Sequence, residues 1–141
     1  MTNIYLDIDG VLLANDMYKA NHSEEFIKYV VTNYPNSTYW LTTHCRQKEN
    51  YTIPLLTRFF PEETMKYIRQ IKPTEWNIFK TDGIDFTSPF LWFDDDLFEG
   101  EKKELIKHNT LESWIEVNLS KDGNQLSKFL TSFPTPIQSI E

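Results

Sequence analysis

Two aspartates near the start of the chain interrupt an apolar run. Asp7 and Asp9 lie in the segment NIYLDIDGVLL, residues 3–13, and Gly10 follows them at once. Acidic side chains are rare in strands and are almost never fully buried unless they are paired. Residues two apart in an extended chain face the same way at about 6–7 Å, where like charges repel by roughly 2–3 kcal/mol at an effective dielectric near 20. The pair therefore predicts a partner of opposite charge.

Polar side chains also follow two later apolar runs, YWL and FLWF. These residues are Thr42, Thr43 and His44 after the first run, and Asp94, Asp95 and Asp96 after the second. Lys80 lies between the two runs. Each residue alone has an ordinary interpretation as a turn, a cap or a surface charge. Together they favour a site for Mg²⁺, which prefers carboxylate and carbonyl oxygens and leaves room for a phosphate oxygen.

The elements that would position these residues alternate between strands and helices. Strands are predicted at 3–8, 37–43, 65–71, 89–93 and 113–119, and helices at 23–34, 54–60, 102–109 and 124–133, with a helical turn at 75–83. This alternation predicts an α/β fold, a three-layer sandwich with a mostly parallel central sheet. In such folds ligands bind beyond the carboxyl ends of the strands, which is where the polar residues lie. The chain length predicts a single domain over residues 1–141.

Two helix starts and one strand are predicted from local signals. Ser23 is the predicted N-cap of the first helix, and Pro54 the predicted opening residue of the second. The strand at 65–71 has period 2 only in part, because Arg69 occupies a position that strict alternation would make apolar.

Composition and charge narrow the function classes. The net charge of −7 argues against a general nucleic-acid binder. The single cysteine, Cys45, excludes an intrachain disulfide, and no cysteine–histidine cluster has zinc-site spacing. No apolar run approaches the roughly 20 residues that span a bilayer, and the first residues lack a signal-peptide pattern. These features predict a cytoplasmic protein without a membrane partner.

The motifs and their order resemble those of the haloacid dehalogenase-like (HAD) hydrolase superfamily, in a small form with little or no cap. Four stretches carry the resemblance: DIDGVLL, YWLTT, Lys80 in FKTDG, and FLWFDDD. They span residues 4–96. The segment 10–22 has no room for a large cap, so the resemblance implies a Rossmann-like HAD fold with an open site.

The resemblance implies a Mg²⁺-dependent phosphomonoester hydrolase. Asp7 would be the nucleophile that forms an aspartyl-phosphate, and Asp9 the general acid and base. An acid at the position of Asp9 points to phosphate chemistry, because the dehalogenases of this superfamily lack it. The implied catalytic residues are Asp7, Asp9, Thr42 and Lys80; the substrate-binding residues are Gly10, Thr42, Thr43 and Lys80; the metal ligands are Asp7, Asp9 through its backbone carbonyl, Asp94 and Asp95.

Several alternatives stay open at this point. They are Lys72 in place of Lys80, Thr43 in place of Thr42, and Asp96 in place of Asp95 beside Asp94. The substrate implied is a phosphorylated small molecule or an exposed phosphate on a macromolecule. His44, Arg46 and Tyr18 are candidates for the rim of the site.

Two other classes compete with the hydrolase. Response-regulator receivers also combine aspartates, Mg²⁺, Thr and Lys, but they place the acidic pair first and a lone phosphorylated Asp in the middle. Here the acidic cluster comes last. The second class is a non-enzymatic Mg²⁺-binding module on the same scaffold.

Overall fold

Five parallel strands form the central sheet of the computed structural model, which describes residues 1–136. The strands are β1 (Asn3–Leu6), β2 (Thr38–Trp40), β3 (Lys72–Pro73), β4 (Phe90–Asp94) and β5 (Trp114–Glu116). Their order across the sheet is β3-β2-β1-β4-β5, and every neighbouring pair is parallel. The predicted α/β class and parallel sheet are confirmed.

Helices flank this sheet. They are α1 (Ser23–Asn33), α2 (Thr52–Thr57), α3 (Glu62–Ile68), α4 (Glu99–Lys107) and α5 (Gln125–Thr131), with 3-10 turns at Thr43–Lys48, Lys80–Gly83 and Leu111–Ser113. Phe26 of α1 packs edge to face on Phe93 of β4 at 5.4 Å, and Phe129 of α5 contacts the same ring at 5.3 Å. Within residues 1–136, no helix is both long and apolar enough to cross a membrane.

Asp7 and Asp94 lie on the same face of the sheet as a group of aromatic side chains. Tyr5 pairs in register with Tyr39 and Trp92, and its ring stacks on Tyr39 at 5.5 Å. Because side chains alternate along a strand, Asp7 falls on the face of Tyr5, and Asp94 on the face of Trp92. The ladder continues past β1, since the Asp7 N–H donates to the Phe93 carbonyl at 3.0 Å. Both acids therefore lie on one face of adjacent strands.

The direction in which strands are added reverses beside β1. The chain runs outward through β2 and β3 on one side of β1, then returns to place β4 on the other side. In open α/β sheets, ligands bind at such a switch point beyond the carboxyl ends of the strands. The ends of β1 and β4 are therefore the expected binding edge.

The predicted strand at 65–71 is wrong, because most of it belongs to α3. Pro61 precedes this helix, and Glu62 and Glu63 occupy its first turn, where negative charge is favourable. Met65 and Ile68 are buried three residues apart, which is helical spacing. The strand that follows, β3, has two residues and gives almost no periodic signal.

The two predicted helix starts are also shifted. His22, with φ of 65°, is the N-cap of α1, so Ser23 is the first helical residue. Pro54 is the third residue of α2, a position where its missing N–H costs nothing because first-turn donors have no intrahelical partner.

Candidate active site

A buried charge cluster lies at the ends of β1 and β4. Lys80, from the 3-10 turn Lys80–Gly83, places Nζ 2.6 Å from Asp94 Oδ2 and 3.3 Å from Asp7 Oδ2. Asp7 is 6% exposed and Asp94 is 1% exposed. The structure thus brings together three residues that lie far apart in the sequence, with the Lys80 ammonium in contact with the carboxylates of Asp7 and Asp94.

Asp94 is held in one orientation by four donors. Its Oδ1 accepts the backbone N–H groups of Asp95 at 2.8 Å and Asp96 at 3.2 Å. Its Oδ2 accepts the Trp92 indole N–H at 3.1 Å as well as the Lys80 ammonium. A carboxylate bound by four donors has little rotational freedom.

Burial controls the electrostatics of this cluster. Burial, and then the negative charge of Asp7, raises the pKa of Asp94 to about 9. Burial opposes the charge on Lys80, but Asp7 and Asp94 outweigh it and raise the pKa of that ammonium above its ordinary value. Lys80 is therefore charged at neutral pH, and one lysine does not satisfy the carboxylates. Further positive charge, as a proton or a cation, is favoured here.

Three carboxylates at this edge have the arrangement of a cation site. Oxygen atoms of Asp7, Asp94 and Asp95 all lie within 4.8 Å of one another. Burial raises the pKa of Asp95 too. Hard oxygen donors in this number suit Mg²⁺. The residues present therefore fit the metal that the sequence implied, and Asp95, not Asp96, accompanies Asp94.

Gly10 makes room for this arrangement. Its φ is +82°, a left-handed conformation that glycine adopts without strain. A Cβ at this position would lie 2.3 Å from Asp95 Oδ2, so any side chain would push the carboxylate away. Gly10 contributes through the absence of a side chain.

Gly10→Ala is expected to lower the free energy of unfolding by about 1–2 kcal/mol, because alanine is strained at positive φ. Displacement of Asp95 should weaken Mg²⁺ binding as well. Urea denaturation and a Mg²⁺ titration measure the two effects. Gly123→Ala is the control, since the nearest atom to its added Cβ is 3.9 Å away. Equal behaviour of the two variants would contradict the steric argument.

Thr42 lies at the same edge, two residues after the end of β2. It is fully buried, and the preceding Leu41 N–H donates to the Leu6 carbonyl of β1 at 2.8 Å. The Thr42 hydroxyl oxygen accepts the His44 N–H at 3.4 Å, and its carbonyl accepts the Trp76 indole at 3.1 Å. Thr43 is exposed. Of the two threonines, Thr42 is the one anchored beside β1.

Asp9 does not join the three clustered acids through its carboxylate. Its Oδ2 lies 2.8 Å from His44 Nε2, across the gap between the ends of β1 and β2. The side chain is 55% exposed, unlike that of Asp7. The arrangement separates two kinds of carboxylate, one buried beside Lys80 and one accessible beside a histidine.

The remaining candidates have other partners or are exposed to solvent. Lys72 is exposed on β3, and its Nζ donates to the Asn36 carbonyl at 3.3 Å, so Lys80 is the lysine at the site. Arg46 lies over the Trp76 ring at 5.4 Å and donates to the Asn77 carbonyl. Tyr18 is 64% exposed.

Sequence reasoning missed Glu101, which is 2% exposed on the first turn of α4. Its Oε2 accepts the backbone N–H of Lys80 at 2.8 Å, and its Oε1 accepts the N–H of Phe98 at 3.0 Å. Glu101 thus joins the start of α4 to the turn that carries Lys80. Glu101 lies three residues after the N-cap residue Phe98, which is the spacing of a capping box. The N-cap residue of a capping box is usually Ser or Thr, so a phenylalanine there hides the pattern.

Glu101→Ala is expected to lower the free energy of unfolding by about 1–2 kcal/mol, because two partly buried N–H groups lose their acceptor. Glu101→Gln should cost less, since one amide oxygen remains. Urea denaturation measures both. Glu104→Ala on the same helix is the control, because its pairing with His108 is partly exposed and worth little. A loss in Glu104→Ala as large as that in Glu101→Ala would remove the special role of Glu101.

Comparisons of the chain with protein-family models, with curated proteins and with solved structures give no match. The geometry of the site is therefore the basis for a functional proposal.

Proposed function

We propose that this chain is a Mg²⁺-dependent phosphomonoester hydrolase of the HAD type, in a small form without a large cap. The observation that carries the proposal is the cluster of Asp7, Asp94 and Asp95, with Lys80 paired to Asp7 and Asp94, at the switch point of a parallel sheet. A non-enzymatic metal-binding module could use the same acids. It would not need Asp9 as a separate, accessible carboxyl group.

In the first step, the Asp7 carboxylate attacks the phosphorus of the substrate. The bond from phosphorus to the leaving oxygen breaks, and its electron pair stays on that oxygen. The carboxyl group of Asp9 donates a proton to the leaving oxygen, which departs as an alcohol. The product on the chain is an aspartyl-phosphate, so one difficult displacement becomes two easier ones.

In the second step, a water molecule attacks the phosphorus of the aspartyl-phosphate. The carboxylate of Asp9 takes a proton from this water, and the bond between phosphorus and Asp7 breaks. Inorganic phosphate leaves, and both aspartates return to their starting protonation states. General acid–base catalysis of this kind typically contributes roughly 10²- to 10⁴-fold.

The other residues stabilise charge. Lys80 offsets the charge on Asp7 and on the transferring group, and Thr42 offers a hydroxyl to a phosphoryl oxygen. Asp7, Asp94, Asp95 and the Asp9 carbonyl would hold Mg²⁺, which supplies Lewis-acid stabilisation of the phosphoryl oxygens when bound. Phosphoryl transfer depends mostly on positioning and electrostatics, so this small set suffices.

The test is hydrolysis of p-nitrophenyl phosphate by the purified chain, with Mg²⁺ and with EDTA. We expect turnover with Mg²⁺ that EDTA abolishes. No turnover with any divalent metal, together with metal binding, would favour the non-enzymatic module. A phosphorylated Asp7 that persists without turnover would indicate a phospho-accepting regulatory module.

A further inference from the structure

We propose that His44 is a positioning residue for Asp9, and that it orients the Asp9 carboxyl group toward the leaving oxygen of the substrate. The proposal rests on the proposed function, since it concerns the proton transfer of the first step. The geometry behind it is the 2.8 Å contact between His44 Nε2 and Asp9 Oδ2.

Asp9 needs an external restraint because of where it lies. Asp7 is held by burial and by the Ile8 N–H, which donates to its Oδ1 at 2.8 Å. The Asp9 side chain is 55% exposed, and the His44 imidazole is its hydrogen-bonding partner. Without that contact, a half-exposed carboxyl group would rotate among several rotamers and would point to the reacting atoms only part of the time.

The backbone of His44 is held by two hydrogen bonds. Its backbone N–H donates to the Thr42 hydroxyl oxygen at 3.4 Å, and its carbonyl accepts the Tyr51 N–H at 2.8 Å. The imidazole is 28% exposed, about half as much as the carboxyl group that it contacts. The histidine is therefore fixed relative to the end of β2, and through its imidazole it restrains the Asp9 side chain, which follows β1.

The contact also decides which oxygen of Asp9 reacts. With the imidazole proton on Nε2, His44 donates to Asp9 Oδ2, so Oδ1 is the oxygen that carries the proton given to the leaving group. The bond from phosphorus to the leaving oxygen breaks, that oxygen takes the electron pair, and the proton from Asp9 Oδ1 neutralises it. The same contact keeps the carboxylate of Asp9 away from the cluster of Asp7, Asp94 and Asp95.

A leaving-group comparison distinguishes positioning from a structural role. p-Nitrophenolate is a weak base and leaves without much help from an acid, whereas phenolate needs a proton. Loss of a well-placed acid should therefore reduce kcat/KM more for phenyl phosphate than for p-nitrophenyl phosphate. Loss of folded protein would reduce both equally.

The experiment measures kcat/KM on both esters for wild type, His44→Ala, His44→Gln, Asp9→Asn and the double variant His44→Ala with Asp9→Asn. Misplacement of a catalytic group by about 1 Å can cost about 100-fold. We expect His44→Ala to lose about 10- to 100-fold on phenyl phosphate and only a few-fold on p-nitrophenyl phosphate. His44→Gln, which retains an amide N–H, should restore most of the loss. The double variant should be no slower than Asp9→Asn alone.

His22→Ala is the matched control, because His22 also pairs with an exposed carboxylate, Glu25, at 2.8 Å. It should leave both rates unchanged. The inference would be overturned if His44→Ala and His44→Gln lost equal activity on both esters. It would also be overturned if the double variant were slower than Asp9→Asn by the full His44→Ala factor. Either result would leave the proposed function standing. A wild-type protein inactive on both esters would overturn the proposed function and this inference with it.

Discussion

Asp7→Asn is expected to abolish phosphomonoester hydrolysis while the fold remains intact. Asparagine has the same shape, and its amide oxygen can still accept the Ile8 N–H that Asp7 Oδ1 accepts now. It lacks the anionic oxygen that would attack phosphorus. Removal of a covalent nucleophile typically costs about 10⁴-fold or more in kcat, so turnover should fall to background.

The fold and the chemistry are measured separately for this variant. Circular dichroism should give a melting temperature close to that of the wild type, and p-nitrophenyl phosphate should show no turnover. Asp122→Asn is the control. Asp122 precedes α5 and pairs with Lys128 of that helix, away from the proposed site. A fully active Asp7→Asn protein would remove Asp7 from the role of nucleophile.

Asp94→Asn is expected to raise the Mg²⁺ concentration needed for half-maximal activity by at least about 10- to 100-fold. The amide oxygen can keep the two backbone N–H groups that Asp94 Oδ1 accepts. Its NH₂ group would face the Lys80 ammonium at the 2.6 Å contact, where two donors repel. Both the metal site and the lysine therefore lose their most buried carboxyl group.

Asp96→Asn is the matched control for this effect. Asp96 is exposed, and the cluster of three acids forms without it. A Mg²⁺ titration of activity should move for Asp94→Asn and stay in place for Asp96→Asn. An identical titration for Asp94→Asn and wild type would remove Asp94 from the ligand set.

The meeting of Asp7, Asp94 and Lys80 was predictable from the sequence. Parallel strands bring their carboxyl ends to one edge, so acids after two apolar runs were expected to converge there. The α/β class was predictable because strand and helix patterns alternate along the chain, and the apolar run FLWF is typical of a buried strand.

The hydrophobic periodicity of the sequence does not predict helix α3 or the contacts of Glu101 and His44. The helix α3 is short, and the apolar residues at 65, 67, 68 and 71, the last of which lies beyond its end, partly match the strand period as well. Glu101 contacts the turn that carries Lys80, and His44 contacts Asp9 beyond the end of β1; periodicity predicts neither contact. Glu101 gave a weak capping signal, and His44 was only a candidate for the rim, because nothing local shows which carboxylate an imidazole will reach.

The adjacency of β1 and β4 has a consequence for how the chain acquires its site. Most of the polypeptide separates these two strands, yet the Asp7 N–H completes its hydrogen bond only on the Phe93 carbonyl. On a ribosome, β1 would emerge long before β4. Until β4 emerged, the edge of β1 that pairs with it would stay unpaired. Such late, long-range pairing slows folding and exposes apolar edges to aggregation, so the nascent chain is most vulnerable until the fourth strand has been translated.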